Sequence, residues 1–304
     1  MTREEKNKEM QDEFDYEETK EKRKEKTKKI IKISSIIIIL LSLLFIHTKF
    51  IATSGIKVKE KRLTFSNIPD SFNGVKIIQF SDLQYGSNIY IENVDKLVKK
   101  INLRNPDIII FTGDLIDETY KIKNDEIEKI IKSLKKLNAN IGKYAVNGDE
   151  DNENFTTILT QAGFNVLDNN YDLIYNQKNE PILITGLSSS KTRNINKSFE
   201  YFKSDNVNKN IFTISIMHEA DDIDKIIKDY KVDIAFAGGN LNGQIYIPKV
   251  GGLFTRKNAT KYTKPYYKLN NTRLYISSGI GTDNIGLRLF NKPSINFIRL
   301  AKSR

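Results

Sequence analysis

Four short segments of this 304-residue chain share one pattern: an apolar run, then polar residues able to do chemistry, then a turn. They are QFSDLQ, with Asp82 and Gln84; FTGDLID, with Gly113 and Asp114; VNGDED, with Gly148, Asp149 and Glu150; and SIMHEAD, with His218. A fifth stretch, AFAGGNLNGQIYIP over 236–248, adds a glycine-rich loop after a similar run. One acid behind an apolar run is what a helix N-cap looks like. Three acid-bearing segments and one with a histidine in that setting form a set. Carboxylates with an imidazole are ligands for divalent cations and groups for general acid–base work. The chain has no cysteine, which excludes disulfides, thiolate metal sites and cysteine nucleophiles. His47 and His218 are its two histidines, so a centre rich in imidazole is excluded as well.

The elements that must position these residues are legible from apolar patterning. Strands are expected at 75–80, 107–113, 143–148, 181–187, 211–217, 232–238, 273–279 and 294–300. Several are continuous apolar runs, as strands buried on both faces require. Helices are expected at 91–102, 124–137, 154–162 and 221–229, the third with Asn154 as its N-cap. Strand–helix alternation followed by more strands predicts a layered α/β sandwich. In open α/β sheets ligands bind at the carboxyl ends of strands, so the polar segments can converge on one spot.

The first part of the chain is of another kind. Residues 1–29 are almost wholly polar, acidic up to Glu18 and basic from Lys20 to Lys29, and are expected to form a disordered or loosely helical cytoplasmic tail. Its patch Asp12–Glu18 could dock on a basic partner. Residues 30–52, IIKISSIIIILLSLLFIHTKFIA, are long and apolar enough to span a bilayer as a helix. Lys32 and Lys49 lie where their stems can reach the head groups, and His47 reads as an interfacial residue. The long charged stretch before the span disfavours a cleaved signal peptide. The basic cluster directly before it places the N-terminus in the cytoplasm by the positive-inside rule, and residues 55–304 outside. The net charge of +11 favours anionic partners. The lysines are spread along the chain, so no specific nucleic-acid binding is expected.

Taken in order, the SD, GDLID, GDED, MHEAD, GGNLNGQI and YISSGIGT segments resemble the calcineurin-type metallophosphoesterases, in their membrane-anchored bacterial branch. The similarity runs from about residue 57 to the C-terminus. It implies a four-layer sandwich, two stacked mixed sheets flanked by helices, with a two-metal site that hydrolyses phosphate esters. In that alignment Asp82, Gln84, Asp114, Asp149 and His218 occupy metal-ligand positions. Glu150 occupies the position of the histidine that the resemblance assigns to protonating the leaving oxygen.

The departures from the family pattern are as informative. Asp-x-His becomes Asp82-Leu83-Gln84, Gly-Asn-His-Asp becomes Gly148-Asp149-Glu150-Asp151, and Gly-His-x-His becomes Gly238-Gly239-Asn240-Leu241. Ser278 stands where the branch often carries arginine. Two-metal hydrolysis needs a cation pair to activate hydroxide and stabilise in-line charge. Here the first position retains Asp82, Asp114 and the weak amide oxygen of Gln84. The second retains Asp114, Asp149 and His218. A carboxylate at Glu150 is a poor proton donor at neutral pH, a loss worth about 10²–10⁴-fold. Crowding Asp82, Asp114, Asp149 and Glu150 demands a cation, a nearby Lys or Arg, or protonation. Two readings follow: one hard ion (Mg²⁺, Mn²⁺ or Ca²⁺) on Asp114, Asp149 and His218 with waters, or a metal-free pocket.

Two functions are therefore expected to compete. One is a pseudoenzyme, an extracytoplasmic binding or scaffolding module for an envelope protein or an anionic phosphoester. The other is a residual metal-dependent phosphoesterase acting on a membrane-surface phosphoester such as a lipid head group or envelope precursor. The lost imidazoles favour the first; fold alone does not settle activity.

Overall fold

A computed structural model describes residues 2–178, 180–253, 259–283 and 286–303. It divides into two compact units, Met1–Ile51 and Ala52–Arg304. The first is helix α1 (Arg3–Ile46), closed by a π-type turn at His47–Ile51. Thr2 and Glu5 form a reciprocal cap: Glu5 N–H donates to Thr2 Oγ1 at 3.4 Å, and Thr2 N–H to the Glu5 carboxylate at 2.6 Å. No break separates the charged stretch from the apolar one. Glu and Lys are good helix formers, and the pairs Glu17–Lys20 and Glu18–Lys22 sit at helical spacing. The helix is long and apolar enough to cross a membrane.

The second unit holds two six-stranded sheets. The first contains β1 (Lys57–Phe65), β2 (Lys76–Phe80), β3 (Ile108–Phe111), β4 (Gly142–Ala145), β5 (Asn165–Val166) and the C-terminal β14 (Ser294–Lys302), in the order β1-β14-β2-β3-β4-β5. Strands β2 to β5 run parallel, and β14 is antiparallel to β2. The second contains β6 (Asn170–Ile174), β7 (Ile182–Leu187), β8 (Thr213–Glu219), β9 (Ile234–Gly238), β12 (Tyr266–Leu269) and β13 (Thr272–Ile276), in the order β12-β13-β9-β8-β7-β6. Its four inner strands are parallel. A small antiparallel hairpin, β10 (Tyr246–Ile247) and β11 (Gly251–Gly252), stands apart from both.

Side-chain alternation along the strands builds three apolar layers. Ile77, Ile108 and Ile110 face the other sheet and meet Ile184, Ile214, Ile216 and Phe236. Ile78, Ile109 and Phe111 point the opposite way, onto α2 (Ile91–Asn102), α3 (Asn124–Leu134) and α4 (Asn154–Gln161). On the far side, Met217, Ala235 and Ile276 pack with Phe199, which follows the short α5 (Ile195–Ser198), and with Ile223 and Ile226 of α6 (Ile223–Asp229). The result is the expected four-layer sandwich.

All eight expected strands and four expected helices are present, most with trimmed ends. One cap is corrected. Glu153 occupies the N-cap position of α4, and Asn154 is its first helical residue, with its N–H donating to Asn152 Oδ1 at 2.9 Å. Strand β1, KVKEKRLTF, carries too many charges to signal a strand. It lies at a sheet edge, where charged residues guard against unwanted pairing.

Candidate metal centre

The carboxyl ends of β2, β3, β4, β8 and β9 bring the polar segments to one edge of the sandwich. Beneath them Gln79 ties the sheets together. Its Nε2 donates to Thr112 Oγ1 at 2.9 Å and to the Ala237 carbonyl at 3.0 Å, while Asn296 Nδ2 donates to its Oε1 at 2.7 Å. Beyond the strand ends the backbone bends hard. Asp82, Gln84 and Asp114 all have left-handed φ, at 51°, 50° and 60°. Such conformations cost about 1–3 kcal/mol each outside glycine and gather at functional sites. Gly113, at φ 89°, is required on two grounds: a Cβ there would stand 2.5 Å from Gly148 N and 2.7 Å from His218 Nδ1.

Asp82, Asp114 and His218 are fully buried, and one ligand atom from each lies within 4.8 Å of the others. His218 Nδ1 is 2.6 Å from the Thr112 carbonyl, so it carries the proton and donates there, leaving Nε2 to face the carboxylates. Nε2 is 3.3 Å from Asp114 Oδ2 and 3.2 Å from Asp149 Oδ1, ion-pair distances without good hydrogen-bond geometry. Burial by itself lowers the imidazole pKa; Asp114 above all, then Asp149 and Asp82, outweigh that and hold it well above its ordinary value. A proton on Nε2 answers the negative charge around it, and a cation would take the place of that proton.

Asp114 sits at the middle of this group. Gln84 Nε2 donates to its Oδ2 at 3.0 Å, and the Glu150 N–H donates to its Oδ1 at 3.2 Å. Gln84 thus presents its amide NH2 to Asp114, while its Oε1 is buried without a hydrogen-bond partner. An orphaned amide oxygen and an imidazole nitrogen beside two buried carboxylates suit one oxygen-preferring cation. Of the expected ligands, Asp149 is the outlying one, with its side chain 38% exposed. Glu150 reaches the centre through its backbone.

On the Asp82 side the arrangement differs. Gly239 N–H donates to both Asp82 oxygens, at 3.1 and 3.3 Å. Leu241, at φ 51°, packs against Gly279, where its Cδ2 lies 2.1 Å from the place a Cβ would occupy. Asp82 Cβ and Arg288 Nη2 flank the same point, at 3.0 and 3.4 Å. Arg288 is fully buried and donates to the carbonyls of Asn291 (3.1 Å), Gly279 (3.3 Å) and Gly281 (2.5 Å). Burial pushes its pKa down to about 10, with Asp82 pulling the other way.

Sequence reasoning gave no role to three residues here. Asp151 clamps the loops: its carboxylate accepts the N–H groups of Asp114 (2.8 Å), Leu115 (2.8 Å) and Gly148 (2.7 Å). Burial and then the Asp114 charge push its pKa up to about 7, against those three donors. Arg288 was signalled only by being a lone charge in the run IGLRLF. Lys59, from β1, donates to Ser278 Oγ at 2.5 Å, so a cation from a distant strand serves the position where the family's branch often has arginine.

Comparison with known proteins bears out the family. The calcineurin-like phosphoesterase family matches residues 75–240, and the chain belongs to that family. It is 30% identical to the uncharacterized metallophosphoesterase YkuE of Bacillus subtilis, over 84% of this chain and 88% of YkuE. It is 25% identical to the uncharacterized metallophosphoesterase YkoQ of the same organism, over 85% of this chain and 98% of YkoQ. A transmembrane protein with metallophosphoesterase domain from Danio rerio is 23% identical over 39% of this chain and 28% of its own length. The fold and the family are thereby established, and α1 is a candidate membrane helix by its length and composition.

Proposed function

We propose that this chain is a membrane-anchored binding module on a phosphoesterase fold, holding a single hard divalent cation and largely without hydrolytic activity. The observation that carries it is the inventory of imidazole. His218 Nε2 is the one imidazole nitrogen facing Asp82, Asp114 and Asp149 among the described residues, while Gln84, Glu150, Gly239 and Leu241 stand at the other expected histidine positions. Asp114, Asp149 and His218 would hold the cation, with Gln84 Oε1 able to turn toward it. Such an ion, when bound, polarises a phosphoryl oxygen and offsets its charge. The chain's own residues then orient the anion, but no histidine stands beside Asp149 to protonate a leaving group.

Isothermal titration with Mg²⁺, Mn²⁺ and Ca²⁺ tests the cation: one site in the wild type and none in Asp114→Asn is expected. Two sites of similar affinity, or heat from none of the three ions, would overturn the reading. The competing function, residual hydrolysis at a membrane-surface phosphoester, draws support from the compact Asp82–Asp114–His218 group. Manganese-dependent turnover of an aryl phosphodiester that disappears in Asp114→Asn would establish it instead.

The proposed topology has residues 1–29 in the cytoplasm and the domain from residue 55 outside. It rests on the seven basic residues between Lys20 and Lys29 next to the apolar span. Because the chain has no cysteine, a single Ser303→Cys label reports the side directly. Labelling of intact cells by an impermeant maleimide is expected; labelling only after lysis would reverse the orientation.

A further inference from the structure

Outside the metal centre, one cavity of about 250 Å³ is lined by Lys57, Lys59, Lys292, Asn242, Tyr246 and Phe290, and no acidic side chain among the described residues lines it. Lys57 and Lys59 are two apart on β1 and so share a face. Lys57 N–H donates to the Pro293 carbonyl at 2.8 Å, which brings Lys292 alongside. Lys59 is half-buried and donates to Ser278, which also accepts from Asn242 Nδ2 at 3.0 Å. Burial, then Arg288 and Lys57, push the Lys59 pKa down to about 8, the mark of cations gathered without a counter-charge. Asn242 is almost fully buried, and its Oδ1 has no hydrogen-bond partner. Turning its amide over would let Ser278 donate to Oδ1 and free Nδ2 as a donor.

Apolar side chains stand exposed on one wall of this cavity and on the hairpin that begins at its Tyr246. Phe290 is 69% exposed and Val250 68%, with Ile247 and Leu253 also exposed. The hairpin β10–β11 and the Phe290 segment are joined by a bridge between Ile245 and Leu289. Tyr246 at the start of that hairpin and Phe290 both line the cavity, so a cationic pocket adjoins exposed apolar side chains, the composition of an interfacial lipid site. Only five residues separate Ile51, at the end of the apolar helix, from Lys57. Fully extended, they reach about 20 Å, so the tether holds Lys57 near a bilayer surface.

We propose that this cavity binds the phosphate of an anionic phospholipid head group, with the exposed side chains of Ile247, Val250, Leu253 and Phe290 entering the acyl region. The proposal shares the membrane anchor with the function above but needs no divalent cation. Lys59 and Asn242 hold the phosphate, and Lys57 and Lys292 add charge at the mouth.

The chain has no tryptophan, so Phe290→Trp supplies a single reporter. The full chain carrying it is placed in nanodiscs of phosphatidylcholine, of phosphatidylcholine with phosphatidylglycerol, and of phosphatidylcholine with added inorganic phosphate. A blue shift of emission is expected only with phosphatidylglycerol, unchanged by EDTA, and at least halved by Lys59→Gln and by the exposed-site variant Lys292→Gln. The second variant guards against a folding defect in the first. An equal shift in phosphatidylcholine alone means these apolar side chains recognise any bilayer and overturns the proposal. A shift produced by inorganic phosphate identifies a free-phosphate site and does the same. Loss of the shift in EDTA moves the anion to the metal centre, and a full shift in both lysine variants removes the cavity from recognition. Failure of the chain to enter nanodiscs at all would count against the membrane anchor itself.

Discussion

The two halves of the metal centre solve the same electrostatic problem differently. Around Asp114 and Asp149, negative charge faces His218 Nε2 and the orphaned Gln84 Oε1, an arrangement that a proton or a cation can complete. Around Asp82, the protein supplies its own positive partners: the Gly239 N–H donates to the carboxylate, and the buried Arg288 guanidinium lies close by. Leu241 adds a hydrocarbon where the family places an imidazole. The contrast teaches that losing ligands need not leave a hole. A backbone dipole and a fixed cation can answer a buried carboxylate permanently, whereas an exchangeable ion answers it only when present.

The strongest way to break this comparison is to remove the built-in cation. Arg288→Met should cost about 3–5 kcal/mol in urea denaturation, since it strips donors from three carbonyls and removes a buried positive charge near Asp82. A loss below about 1 kcal/mol would mean Asp82 is balanced by something else. Next in size, Asp151→Ala should cost about 2–4 kcal/mol by the same measurement, because three backbone N–H groups lose a shared acceptor. The test specific to the other half is cation affinity. His218→Gln should weaken Mn²⁺ binding by about 100-fold or more, while Leu241→Ala leaves it within about threefold. Similar effects from the two changes would erase the distinction between the halves.

The smallest effect concerns Lys59, and its sign is fixed by linkage. The folded pKa, about 8, lies below the ordinary value of 10.5. Below pH 8 both folded and unfolded states hold the proton, and the cost of burying the charge is fully present. Between pH 8 and 10.5 the folded state sheds the proton first, so stability rises with pH across that window. Lys59→Met should flatten this rise and gain about 1–2 kcal/mol at pH 7, discounted for partial exposure. A melt series from pH 6 to pH 11 reads both.

Much of the sandwich was legible because strands buried on both faces announce themselves locally. DIIIFTG and VDIAFAG need no partner to be recognised, and the amphipathic helices follow from spacing alone. The polar segments were legible for a related reason: each sits directly behind such a strand. Asn154 misled because Asn152, two residues earlier, offers the same side-chain acceptor to the helix start. Charged β1 was missed because its strand character comes from pairing with β14 in register Lys57↔Ser294, a partner at the other end of the chain.

By itself, then, the order of residues determined the family, the layered fold, the apolar span and the shortage of imidazole at Gln84, Glu150, Gly239 and Leu241. Those are properties of composition and short-range pattern. Only the tertiary structure decided which charges meet. Lys59 reaches Ser278 across 219 positions, Asp82 meets the Gly239 N–H across 157, and Arg288 turns inward onto its loop carbonyls. Such pairings depend on how two sheets stack and where their loops turn back, and no local periodicity encodes the distance between side chains that far apart.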